Sequence, residues 1–87
     1  MKRVIRLSEK DNVAVVLCDL SEGEILEEIG VTAREAVPYG HKIALADIRP
    51  GEKIYKYGEA VGNCTAEIAK GGWVHVHNVE SIRGLGR

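Results

Sequence analysis

Three histidines, His41, His75 and His77, are the residues of this 87-residue chain best suited to move protons or bind a metal. His75 and His77 stand one residue apart in Trp73-Val74-His75-Val76-His77-Asn78. In an extended segment, residues i and i+2 leave the same face. A strand from Trp73 to His77 would therefore turn Val74 and Val76 to the core and present both imidazoles outward. Two imidazoles on one face are a common start for a divalent metal site, and a bare surface pair fits the spacing equally well. His41, Glu59 and Glu80 are the candidate further ligands. Gly40-His41-Lys42 follows a proline turn and opens a strand, setting a proton carrier beside an anion-binding charge. Lys56-Tyr57-Gly58 ends another strand in the same manner, with a cation, a phenol and a turn glycine. Lys42 and Lys56 could together hold a carboxylate, and two solvated strand lysines are the competing reading. Cys18, at the end of an apolar run, reads as a small buried hydrophobe, and Cys64 as a loop thiol with no basic neighbour to activate it. Trp73 reads as a packing residue of a hairpin or an interface. No Gly-rich phosphate loop, Ser-His-Asp order or paired CxxC is present.

The elements that must position these groups read as mostly β. Val and Ile number 18 of 87 and Phe is absent, and β-branched side chains fit a pleated surface better than a helix. Strands are expected over 3–7, 13–17, 42–45, 53–57 and 73–77. Glu24 to Ile29, Thr32 to Ala36 and Thr65 to Lys70 are long enough for one helical turn each, the middle one with Thr and Glu spaced as a capping box. A template of acid, aliphatic, two residues, Gly, two residues, aliphatic occurs three times, beginning at Asp19, Asp47 and Glu67. It describes a turn that delivers a strand, with Gly at a position of positive φ. The copies lie 28 and 20 residues apart, so the chain is a compact irregular β domain and not a regular solenoid.

Composition narrows the function classes. Twelve Lys and Arg against 13 Asp and Glu leave a formal charge of −1, which argues against nucleic-acid and anionic-membrane partners. The longest apolar run, Val13 to Cys18, is too short to span a bilayer. The basic start lacks the apolar stretch of a signal peptide, and two cysteines are too few for a disulfide scaffold, so a cytoplasmic chain is expected. A chain of this size hides only about 60–65% of its unfolded surface. That modest core makes a partner subunit, or a second copy of the chain, a reasonable expectation.

Gly40-His41-Lys42-Ile43-Ala44-Leu45, Asp47-Ile48, Gly51-Glu52, Ile54-Tyr55-Lys56-Tyr57-Gly58, Val61-Gly62 and Val74-His75-Val76-His77-Asn78, in this order, resemble the SAF-type β-clip domain of the altronate/galactarate dehydratase family. Asp11-Asn12-Val13-Ala14-Val15 fits as well. The resemblance implies a small irregular β-clip domain with short helical turns over residues 1–82, followed by a flexible tail at 83–87. It also implies a hydro-lyase subunit, inactive alone, that works beside a large catalytic subunit. There a sugar acid, altronate or galactarate, loses water to give a 2-keto-3-deoxy acid with Fe(II) or Mn(II) as the metal. Under that resemblance His75 and His77 fall to the metal, His41 to proton transfer, and Lys42, Lys56 and Tyr57 to the substrate. A sulfolactate sulfo-lyase small subunit, a non-catalytic carbohydrate-binding module and a purely structural assembly subunit are the alternatives.

Overall fold

Val13-Ala14-Val15-Val16 is apolar at four consecutive positions, the pattern of a strand covered on both faces. The computed structural model describes residues 2–81. It contains nine strands: β1 (Val4–Ile5), β2 (Val13–Val16), β3 (Ile25–Leu26), β4 (Val31–Thr32), β5 (Lys42–Ala44), β6 (Lys53–Lys56), β7 (Glu59–Cys64), β8 (Trp73–Val74) and β9 (Val79–Ser81). A four-stranded antiparallel sheet in the order β1-β2-β5-β8 forms the centre, beside a β3-β4 hairpin and a three-stranded β6-β7-β9 sheet. Alternation along β2 and β5 divides the core. Ala14, Val16 and Ile43 join Leu20, Leu26, Val31 and Val37 in one cluster, while Val13 and Ala44 join Ile48, Ile54, Ile68 and Val74 in the other. Each large aliphatic residue so buried contributes about 1.5–3 kcal/mol.

The recurring template is real in its first two copies. Leu20 pairs with Val37 and Ile48 with Ile68 as isolated bridges. Asp19 accepts a hydrogen bond from the Tyr39 amide and Asp47 from the Lys70 amide, both at 2.8 Å. Glu24 accepts from the Ser21 amide, and Glu52 likewise from the Arg49 amide. Gly23 and Gly51, at φ 87° and 90°, donate across to Ala33 and Cys64. The same backbone wiring is thus built twice. The third copy has a different part: Ile68 answers Ile48, and the turn at Gly71 matches the turn at Gly40, with φ of 88° and 84°.

Several expectations are corrected. No described residue is helical. Residues 24–29 instead supply β3 and a turn in which Ile29 and Gly30 donate to Leu26 and Glu27. Glu35 does not close a capping box with Thr32; its carboxylate accepts the Trp73 amide hydrogen at 3.1 Å. The last expected strand stops at Val74, because the Asn78 side chain accepts from the His75 amide and donates to the Trp73 carbonyl, curling 75–78 into a turn. Val76 consequently faces solvent and not the core, at 79% exposure. Cys64 is no loop thiol: it ends β7, is buried, and its Sγ donates to the Ala66 carbonyl. The expected tail at 83–87 lies outside the described residues.

Candidate functional site

Lys42 opens β5 in the middle of the central sheet, opposite Val15 on one side and Val74 on the other. That position half-buries its side chain. Desolvation pushes its ammonium pKa down, and the charge of Lys56 pushes it further the same way. Two cations drawn together favour an anion between them.

Lys56 closes β6, and its Nζ lies 5.2 Å from the centre of the Tyr57 ring. Lys56 and Glu59 are paired across a two-residue hairpin whose central residues, Tyr57 and Gly58, both have positive φ, 56° and 83°. This is the primed geometry that matches strand twist and prefers Asn-Gly, so Tyr57 stores strain. Buried Asp11 holds the turn: one carboxylate oxygen accepts from the Gly58 amide at 2.8 Å and the other from the Ser8 amide at 3.3 Å. Asn12 fixes the same strand, donating to the Lys53 carbonyl and accepting from the Tyr55 amide, each at 2.8 Å. The register of β6 on β7 shifts between Ile54 and Tyr55, leaving Val61 as the unpaired residue of a bulge. Lys42, Lys56, Tyr57, Glu59, Val61, His75, Val76, Val79 and Ser81 line an open cleft of about 630 Å³, a volume suited to a small molecule.

The histidines gather around an indole. His75 lies against His41, ring centroids 4.1 Å apart and planes tilted by 34°, and is nearly parallel to Trp73, at 9° and 5.8 Å. Trp73 Nε1–H donates to His41 Nδ1 at 3.0 Å. His77 packs on Trp73 as well, its ring 4.8 Å away and tilted by 48°. Desolvation lowers the His75 pKa first, and the charges of His41, Lys42 and His77 lower it further.

The family model for the altronate/galactarate dehydratase SAF domain matches residues 2–82. This chain belongs to that family. The SAF domain is 46% identical over 79 residues to the altronate dehydratase of Escherichia coli and 37% identical over 83 residues to that of Bacillus subtilis. The matches cover 88% and 93% of this chain but only 16% and 17% of those proteins. It is also 38% identical over 53 residues to the (2R)-sulfolactate sulfo-lyase subunit alpha of Paracoccus pantotrophus, covering 61% of this chain and 79% of that subunit.

Within the SAF domain, Lys42, Lys56, Tyr57 and His75 share the cleft, whereas His41 sits one ring behind its wall and His77 packs on Trp73 without lining it. Of the candidate carboxylates, Glu59 reaches the cleft and Glu80 does not line it. The residues present do not fit Fe(II) or Mn(II) by themselves. Among the described residues no three His, Cys, Asp or Glu side chains converge as a ligand set, and His41 Nδ1 already accepts from Trp73. The strand that would have aligned the His75 and His77 rings is replaced by a turn. Sequence reasoning missed Val61, Val79, Ser81 and the supporting Asp11–Asn12 pair; the pair carried a signal, since Asp and Asn before a strand commonly bind backbone amides.

Tyr57→Asn should relieve the positive-φ strain and raise stability by about 1 kcal/mol, read as a higher urea midpoint. It should also weaken anion binding if the phenol contributes to the cleft; a lower midpoint would show that Tyr57 is not strained.

Proposed function

We propose that this SAF domain supplies the anion-holding wall of a hydro-lyase site, in which a sugar acid of the altronate or galactarate type loses water to give a 2-keto-3-deoxy acid. The chain spans about one sixth of the altronate dehydratases it matches, at 16% and 17% of their lengths. The rest of the catalytic machinery is therefore assigned to a larger partner portion, and the chain alone should not turn over substrate. The observation that carries the reading is the pair Lys42 and Lys56 in one cleft, close enough for Lys56 to depress the Lys42 ammonium.

The chemistry needs such a wall. Removing the proton next to a carboxylate moves charge onto the carboxylate oxygens, and fixed cations stabilise that charge. The C–H electron pair forms the new double bond as the neighbouring C–O bond breaks. The departing hydroxyl takes a proton to leave as water, and the enol then ketonises. Lys42 and Lys56 would bind and orient the carboxylate, while Tyr57 and Ser81 offer hydroxyls for the sugar-acid hydroxyl groups. The match to sulfolactate sulfo-lyase supports a second substrate of the same charge class, a hydroxy acid bearing a sulfonate.

Galactarate titrated into the full chain should shift the backbone amide resonances of residues 42, 56, 75 and 81. Lys42→Met should weaken binding about 10- to 100-fold, the loss expected for one charge-assisted contact. The same variant should raise thermal stability, because a cation whose folded pKa lies below its unfolded value costs stability at pH values below that folded pKa. Unchanged affinity in Lys42→Met and Lys56→Met alike would overturn the proposal.

A further inference from the structure

We propose that Trp73 is a positioning residue that holds His41 as its Nε2–H tautomer, so that the remaining ring nitrogen of His41 is fixed as a hydrogen-bond donor. An indole nitrogen can only donate, so the 3.0 Å contact requires the lone pair of His41 at Nδ1. The neutral ring must then carry its hydrogen at Nε2. A hydrogen on Nδ1 would face the indole hydrogen directly. The indole is itself anchored: its body packs against the first core cluster, its amide donates to Glu35 and its carbonyl accepts from Asn78.

His41 lies one ring behind the cleft: its ring centroid is 4.1 Å from that of His75, which lines the cleft, with the two planes tilted by 34°. The hydrogen placement fixed on His41 therefore sets which of its nitrogens can donate to a neighbour.

The test is a long-range ¹⁵N–¹H correlation spectrum of the imidazoles in the full chain. His41 should show a hydrogen-bearing Nε2 and an unprotonated Nδ1. Trp73→Phe keeps an aromatic ring and removes the donor, and should return His41 to a mixture of tautomers. A His41 hydrogen at Nδ1, or an averaged pair, in the wild-type chain overturns the tautomer assignment whether or not the variant folds.

Discussion

Gly71→Ala is expected to remove a large part of the stability of this domain. Gly71 sits at φ 88°, which an alanine tolerates only at a cost of about 1–2 kcal/mol. A Cβ built there would also lie 2.1 Å from the Thr32 carbonyl oxygen, a backbone atom that cannot swing aside. Forcing backbone apart in a packed region adds about 1–3 kcal/mol or more. The total of about 2–5 kcal/mol compares with about 4–13 kcal/mol for the whole stability of a chain this size. The duplicated wiring provides a control. Gly40 occupies the matching turn at φ 84°, but nothing lies within 4 Å of its Cβ position. Gly40→Ala should therefore lose only the 1–2 kcal/mol conformational part. Urea unfolding of the two variants measures the difference, and equal losses would show that the Thr32 contact relaxes freely.

Asp11→Ala is expected to cost about 2–3 kcal/mol and to loosen the cleft from a distance. The substitution strands the Gly58 and Ser8 amides, and an unmet buried donor costs about 1–3 kcal/mol. Burial alone would raise the Asp11 pKa, but the amides of Gly58, Tyr57, Ser8 and Leu7 outweigh it and hold the carboxyl below its ordinary value. The sign follows. A depressed folded pKa contributes stability that is fully present above the unfolded value near 3.9 and is lost as pH falls through the folded one. Wild-type stability should accordingly fall below about pH 4, and Asp11→Asn should flatten that part of the profile. Galactarate affinity should fall in Asp11→Ala, since the Tyr57–Gly58 turn carries one side of the cleft. A variant that keeps both its stability and its acid-side slope would show that water replaces the carboxylate at no cost.

Strands with plain apolar patterns were legible in the sequence. Val13–Val16, Lys42–Ala44 and Lys53–Lys56 form where β-branched and aromatic residues concentrate. β7 was hidden, because Gly62 and Asn63 are poor strand formers. Gly62 is there for closeness: a Cβ would come 2.5 Å from Val79 and 2.9 Å from the Glu80 carbonyl oxygen. The histidine geometry was hidden for another reason. Alternation along Trp73–His77 assumes a ladder, and the Asn78 side chain takes the hydrogen bonds that would have continued it. The cleft residues Lys42, Lys56, Tyr57 and His75 were legible by type and by neighbouring glycines, but their convergence was not, since it depends on pairings between residues far apart in the chain. Trp73 was read only as a packing residue, because a tautomer-setting contact at a separation of 32 residues leaves no local trace.

The matched turns carry unlike passengers: His41 and Lys42 follow Gly40, whereas Gly72 and Trp73 follow Gly71. Main-chain bonds dictate the path in both halves, and the His41 and Lys42 side chains are free of the task of holding it, whereas Gly72 is fixed by the approach of the Ala69 carbonyl and Trp73 by packing on the core. Selection can exchange the first pair, and with it the acid preferred, while folding proceeds as before. A lineage whose members handle altronate, galactarate and sulfolactate is the outcome such a separation of duties would permit.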